Sequence, residues 1–199
     1  MYIYIILVKT TIRGGNMKNI RRFLLLSLTL LLLAGCGNMM NTPTKKVEEF
    51  LSKYQTLDKE VLNQLDNVVE ESNTFTETQK DDYYALMKKQ YKNLNYKIKD
   101  EQEENDHATV VVEVEVIDYG KAISDAEAYL ATNRDEFVTD LEDDVIDTEK
   151  FMTYKINRMN DVKDKVTYTI TFTLTKEDGT WKLDDLNDID RLKLHGLYY

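Results

Sequence analysis

The sequence predicts an α+β fold in which N-terminal helices pack on a curved antiparallel sheet of about four strands. Three amphipathic helical stretches come first in the domain. Two stretches follow in which every second residue is apolar, and each is predicted to form a β-hairpin with a shorter strand next to it in the sequence. A helical insertion separates the two hairpins. Antiparallel strands that follow and flank helices are typical of the α+β class.

The three N-terminal helices each carry a sequence signal. Thr42-Pro43 supplies an N-cap threonine and a proline at the first helical position. Leu57–Val69 repeats an apolar stripe at helical spacing, and Thr76 to Gln79 has the pattern of a capping box. The predicted buried positions are Val47, Phe50, Leu51 and Tyr54, then Leu57, Val61, Leu65 and Val68, then Tyr83, Leu86, Met87, Tyr91 and Leu94.

The strands are predicted by alternation. Tyr96 and Ile98 alternate with lysines, a polar turn follows over 101–106, and 108–118 carries valines on one face and glutamates on the other. Residues 166–175, VTYTITFTLT, alternate apolar residues with threonines, and an Asp-Gly turn leads into Trp181. Apolar residues at every second position do not fall on one face of a helix, but they do fall on one face of a strand, so these stretches are predicted as strands.

The helical insertion covers residues 121–160. One apolar stripe consists of Ile123, Ala126 and Leu130, and a second consists of Met152, Ile156 and Met159. An acidic stretch between Asp140 and Glu149 joins them. Because this insertion is long, the order of the strands in the sheet stays open.

The chain contains a single cysteine behind an export signal. Lys18, Arg21 and Arg22 precede an apolar run over 23–33, which is about half the length that spans a bilayer. The run ends in Leu33-Ala34-Gly35-Cys36, which resembles the lipobox of bacterial lipoproteins. The resemblance implies a diacylglyceryl thioether on Cys36 and cleavage just before it, and the alternative is a signal peptide with an incidental cysteine.

Four segments are predicted. Residues 1–16 are interpreted as untranslated leader, because 13–17 back-translates into a purine-rich ribosome-binding site and a start codon. Residues 17–35 are the predicted lipoprotein signal peptide, and 36–41 are a lipidated tether. Residues 42–199 are predicted to form a single α+β domain, a length that suits one domain.

The charge of the chain changes at the predicted cleavage site. Five of the 26 basic residues and none of the 36 acidic residues precede Cys36, which leaves a net charge of −15 on residues 36–199. Such a surface repels nucleic acid and anionic headgroups, so no nucleic-acid partner is expected. The amino-acid composition fits a protein of a Gram-positive bacterium, anchored in the cell membrane with its domain on the extracytoplasmic face.

The element order over 42–186 is similar to that of small bacterial lipoproteins with a nuclear transport factor 2-like (cystatin-like) domain. The stretch EDGTWKLDDL (177–186) looks like the closing hairpin of such domains. This resemblance implies helices packed into the concave face of a curved sheet. The family hosts isomerases, dehydratases and non-catalytic binding modules, so it does not choose a function.

No catalytic or metal-binding constellation is predicted. His107 and His195 are far apart in sequence and lack a cysteine partner, so a zinc site is not expected. There is no Gly-x-Ser-x-Gly elbow and no glycine-rich phosphate loop, and no cofactor is predicted.

Two acidic runs and a group of tyrosines have alternative interpretations. The runs lack the EF-hand pattern and are interpreted as solvated faces, with calcium binding as the alternative. The tyrosines are expected in the core, with a pocket lining as the alternative. The runs are Asp140, Glu142, Asp143, Asp144 and Asp147, and Asp184, Asp185, Asp188 and Asp190, and the tyrosines are Tyr83, Tyr84 and Tyr91.

Two functions follow as expectations. The first is a lipid-anchored, non-catalytic binding or assembly module whose partner is an envelope protein or a small ligand. The second is a small isomerase- or hydrolase-like enzyme that uses a cone-shaped cavity between the helices and the sheet. A core filled by residues such as Phe50, Tyr91, Val112 and Phe172 favours the first, and an open cavity with a carboxylate or tyrosine favours the second. The apolar tail 192–199 is expected to dock on the domain.

Overall fold

The computed structural model describes residues 41–139 and 145–199, within the compact unit Asn41–Tyr199. The described residues form six α helices and a four-stranded antiparallel sheet, so the α+β class is confirmed. The elements in chain order are α1 (Pro43–Gln55), α2 (Lys59–Glu70), α3 (Glu77–Asn93), β1 (Asn95–Glu104), β2 (His107–Ile117), α4 (Tyr119–Thr132), a 3₁₀ turn (Arg134–Phe137), α5 (Thr148–Asp161), β3 (Lys165–Glu177), β4 (Thr180–Leu183) and α6 (Asp188–Leu194).

The strand order, which the sequence left open, follows the chain as β1-β2-β3-β4. β2 pairs with β3 along the whole length of β2, from His107 opposite Thr175 to Ile117 opposite Lys165. The helical insertion between β2 and β3 therefore connects two strands that are neighbours in the sheet. It can do so because its helices have a second apolar cluster of their own, in which Ile156 and Met159 meet Leu86 of α3.

The main core lies between the sheet and the N-terminal helices. Val110 and Val112 of β2 and Ile170 and Phe172 of β3 are fully buried, and the alternate threonines of β3 face outward. Val47 and Leu51 of α1 are buried in the same cluster. The N-caps Thr42 and Thr76 and the capping box at α3 form as predicted.

Three local predictions are wrong. α2 begins at Lys59, because Leu57 adopts a left-handed backbone (φ 54°) in the preceding turn and Asp58 caps the helix. The buried face of α2 consequently includes Val69, whereas Val68 is 61% exposed. β1 continues to Glu104, and the polar turn shortens to two residues, with Asn105 at φ 57°. In α4, Tyr119, Ala122 and Ala126 are buried, whereas Ile123 and Leu130 are only half-buried.

The C-terminal residues dock on the domain. The Gly120 N–H donates to the Gly196 carbonyl at 2.7 Å, and the Tyr168 hydroxyl donates to the Tyr198 carbonyl at 3.0 Å. A Cβ on Gly120 would lie 2.1 Å from the Tyr198 carbonyl oxygen, so the close approach requires glycine there.

The buried Gln90 side chain joins three parts of the fold. Its amide nitrogen donates to the carbonyls of Ile117 (2.8 Å) and His195 (2.9 Å), and its oxygen accepts from the Ile117 N–H at 2.8 Å. α3 is thus bonded to the end of β2 and to the end of α6. Gly196, at φ 68°, leaves no room for a Cβ beside this amide.

We expect Gln90→Met to lower the free energy of unfolding by about 3 kcal/mol or more, because it leaves three backbone groups without their partner. Urea unfolding monitored by the fluorescence of the single tryptophan, Trp181, measures this. Gln102→Met is the control, since the Gln102 side chain is exposed and bonds only Asp100 among the described residues, and a change within about 0.5 kcal/mol is expected. Equal stability of Gln90→Met and wild type would contradict the role of the amide.

Candidate functional site: an aromatic cleft beside the C-terminal helix

The residues singled out in the sequence have different surroundings. Cys36, predicted as the lipidation site, lies outside the described residues. His107 is exposed at the start of β2, while His195 follows α6 and contacts tyrosines of α1 and α3. No group of three or more His, Cys, Asp or Glu side chains within 41–139 and 145–199 is arranged to hold a metal ion.

The acidic runs do different things. Asp140 to Asp144 lie outside the described residues, and Asp147 caps α5 by accepting from the Lys150 N–H. Asp190, near the start of α6, accepts a hydrogen bond from the Asn187 amide group, donates its own backbone N–H to the Asn187 side-chain oxygen, and forms an ion pair with Lys193. Asp184, Asp185 and Asp188 lie along a cleft.

This cleft, of about 910 Å³, is lined by α1, α2, α3, the segment that joins β4 to α6, and α6 with the tail behind it. Most of its lining is apolar or aromatic. We call it the aromatic cleft, and it is defined by Phe50, Lys53, Tyr54, Glu60, Val61, Gln64, Leu65, Val68, Tyr83, Met87, Tyr91, Leu183, Asp184, Asp185, Leu186, Asp188, Arg191, Leu192, His195 and Leu197.

The floor of the aromatic cleft continues into the core. The rings of Phe50 and Tyr54, one turn apart on α1, have centroids 5.3 Å apart, and Phe50 also meets the buried Phe172 of β3 at 5.9 Å. Tyr54 packs edge-on against Tyr91 of α3 at 5.0 Å. His195 lies against both tyrosines, at 5.9 and 5.5 Å. Edge-to-face rings at these distances stabilise one another and fix the wall.

Both interpretations of the tyrosines are correct in part. Tyr91 is 4% exposed and belongs to the core, yet it lines the aromatic cleft together with Tyr83. Tyr84 does not line it and carries the ammonium group of Lys88 over its ring. The expected core residues Val112 and Phe172 are fully buried, so the space under the sheet is filled and the cleft lies beside it.

The sequence points to Asp184, Asp185 and His195 only as candidate metal ligands and does not predict that they lie opposite the tyrosines of α1 and α3. Leu183 to Leu186 and His195 are brought to α1 and α3 by the β3–β4 hairpin and by the turn into α6. The acidic stretch DDLND (184–188) predicts a solvated loop from the sequence alone. It does not indicate that tyrosines from distant helices lie on the opposite side of the cleft.

The tyrosines and the histidine of the aromatic cleft are uncharged at neutral pH. Burial raises the pKa of Tyr54 and of Tyr83, and burial, with Tyr54 and Tyr83 as neighbours, raises the pKa of Tyr91. Burial and the positive charge of Arg191 lower the pKa of His195 to about 4. The His195 residue is half-buried as a whole, but its Nε2 atom is shielded from solvent and has no hydrogen-bond partner in the described part of the chain.

The rim of the aromatic cleft carries charges, several of them paired. The Lys53 ammonium lies 2.5 Å from Glu60, and the Arg191 guanidinium lies 3.6 Å from Asp188 and donates to the Leu186 carbonyl at 2.9 Å. Two large apolar side chains at the cleft are exposed: Val68 of α2 (61%) and Leu192 of α6 (42%). The site therefore joins a neutral aromatic wall to a charged rim.

No protein-family model matches the chain, and no curated protein sequence matches it. A solved structure that resembles it is described as a "putative lipoprotein (ycdA)" from Bacillus subtilis, with 15% sequence identity and a TM-score of 0.38. The match covers 81% of this chain and 50% of that one, so this chain spans about half the length of the protein it resembles.

No helix within residues 41–139 and 145–199 is both long and apolar enough to cross a membrane.

We expect His195 to make the protein less stable in mild acid. Its pKa is about 4 when folded and about 6.5 when unfolded, so the unfolded state binds the proton first as the pH falls. The contribution begins near pH 6.5 and grows to at most about 3 kcal/mol near pH 4. Urea unfolding at a series of pH values, compared with His195→Phe, measures it.

His195→Phe keeps an aromatic ring against Tyr54 and Tyr91 and removes the titration, while His107 stays in both proteins. The difference in unfolding free energy between variant and wild type should widen from pH 7 to pH 4. A difference that is independent of pH would show that His195 titrates normally.

Proposed function

We propose that this chain is an extracytoplasmic lipoprotein, anchored through Cys36, whose α+β domain is a non-catalytic binding module with the aromatic cleft as its ligand site. The observation that carries the proposal is the cleft itself. Its volume of about 910 Å³ falls in the range of ligand sites, and a mostly apolar lining with a few polar groups is typical of them.

An open cavity with tyrosines is the feature that the sequence associates with the enzyme alternative, but the protonation states of its tyrosines and histidine favour binding over catalysis. A tyrosine with a raised pKa stays protonated at neutral pH and is a poor general base, and a histidine with a pKa of about 4 is a weak one. The enzyme alternative would need a base poised near neutral pH at the cleft. The exposed apolar side chains beside the cleft, Val68 and Leu192, are by contrast a feature of surfaces that a partner covers.

The anchor is supported by Leu33-Ala34-Gly35-Cys36, and Asn41, five residues further on, is hydrogen-bonded to the domain. The Asn41 side chain donates to the Gly179 carbonyl at 2.8 Å and accepts from the Trp181 N–H at 3.0 Å. The domain is thereby fixed to the β3–β4 turn at its first described residue. Five residues from Cys36 to Asn41 reach at most about 18 Å, which makes a short tether.

The rest of the proposal extends the sequence interpretation. The domain lies on the outer face of the cell membrane of a Gram-positive bacterium, and its ligand is an envelope protein or a small molecule. Its resemblance to nuclear transport factor 2-like domains is supported by helices α1 and α3 packed on the sheet. An acidic surface disfavours nucleic acid as a partner.

We expect residues 37–199 to bind the neutral apolar dye N-phenyl-1-naphthylamine in the aromatic cleft, with an increase in dye fluorescence. Gln64→Trp should weaken this binding at least tenfold, because Gln64 is exposed at the cleft and a larger ring there obstructs it. Asn67→Trp is the matched control: it is exposed on the same helix but does not line the cleft. No dye binding by the wild type, or equal binding by all three proteins, would rule the cleft out as the ligand site.

Replacement of the anchor tests the other half. Cells that express Cys36→Ser should incorporate no radiolabelled palmitate into the protein, because the thioether cannot form without the thiol. The wild type should be labelled and found in the membrane fraction after detergent-free lysis. Ser72→Cys in the Cys36→Ser background is the control, since it restores a thiol elsewhere and should restore no label. Labelling of Cys36→Ser would exclude lipidation at Cys36.

A further inference from the structure

The charges on the rim of the aromatic cleft do not balance. Both rim cations already have a carboxylate beside them: Lys53 pairs with Glu60 and Arg191 with Asp188. Asp184 and Asp185, next to each other in the segment between β4 and α6, form no ion pair with a cation of the described residues. The uncompensated charge at the rim is therefore negative.

The apolar part of the site extends beyond the cleft. Val68 of α2 and Leu192 of α6 expose 61% and 42% of their surface, and both line the cleft. An occupant that fills only the interior would leave these two side chains in water. One that covers them gains apolar contact with two helices as well as with the aromatic floor.

The same features exclude several occupants. Residues 36–199 carry a net charge of −15, so a second copy of the chain would bring further negative charge to a negative rim. Anionic headgroups and nucleic acid are repelled for the same reason. The floor offers no cation, since His195 is neutral and the tyrosines are protonated at pH 7.

We propose that the aromatic cleft takes a basic peptide segment, with one or more large apolar side chains on the aromatic floor and a lysine or arginine beside Asp184 and Asp185. The proposal rests on the proposed function and names the class of its ligand. Complementary charge at the rim speeds the encounter and selects the partner, and the apolar floor holds it.

The test uses a pair of eight-residue amphipathic peptides with identical leucine, isoleucine and phenylalanine positions. One has lysine and the other glutamate at all remaining positions. Binding to the full chain in phosphatidylcholine nanodiscs is measured by titration calorimetry, with empty nanodiscs subtracted. We expect the lysine peptide to bind at least tenfold more tightly, and we expect this preference to shrink as salt is raised, because rim charges are screened.

Variants locate the preference. Asp184→Asn/Asp185→Asn should bring the two affinities within about threefold, whereas Asp81→Asn/Asp82→Asn, which removes two exposed carboxylates of α3 away from the cleft, should keep the preference. Gln64→Trp should lower the affinity for both peptides, because the larger ring obstructs the cleft. An equal affinity of the wild type for the two peptides, or a preference that survives Asp184→Asn/Asp185→Asn, overturns the proposal.

The dye experiment separates this failure from that of the proposed function. If N-phenyl-1-naphthylamine binds and the lysine peptide does not, the cleft is a ligand site for another class of molecule and the peptide proposal is wrong. If neither binds, both proposals are wrong.

Discussion

The amide of Gln90 is the contact on which the arrangement of this domain depends. A fully buried amide must satisfy its donors and acceptor, and here it does so by bonding both backbone groups of Ile117 and the carbonyl of His195. These bonds fix α3 against the end of β2 and hold the end of α6 beside α3. Since His195 is part of the cleft wall, the same amide also positions one side of the candidate site.

The aromatic cleft differs from the core beside it in composition. The side chains that the sheet buries are mainly aliphatic, such as Val110, Val112 and Ile170, together with Phe172. At the cleft, tyrosines and a histidine bring hydroxyl and imidazole groups into partly buried positions, where burial favours their neutral forms. A neutral polar wall with an acidic rim suits recognition of a positively charged partner better than proton transfer.

Surface charge has two different roles in this chain. The acidic strand β1 and the outward side of β2 are exposed or half-buried, with local pairs such as Lys165–Glu115 at 2.7 Å. Pairs of this kind add little stability, and they keep the sheet surface hydrated and its open edge unattractive to other strands. Asp184 and Asp185 are distinct because they line the aromatic cleft and form no ion pair with a cation of the described residues.

The class of the fold and most of its elements could be predicted from the sequence, since caps and periodicity are local. Thr42-Pro43, the capping box at Thr76 and the alternation over 166–175 act within a few residues, and all three form as predicted. The boundary of α2 could not, because it depends on the left-handed turn at Leu57 rather than on the apolar stripe. The lipoprotein signal is also local, and Cys36 stays a prediction of the sequence alone.

The candidate site was decided by tertiary structure. Tyr54, Tyr91 and His195 come from three helices separated by long stretches of chain, and their spacing in sequence gives no sign that their rings meet. Likewise, nothing local distinguishes Asp184 and Asp185, which face a cleft, from the many acids that face water. The sequence by itself determined the type and the approximate position of most helices and strands. Only the packing of those elements decided which side chains share a surface, because contacts between distant segments depend on the whole core.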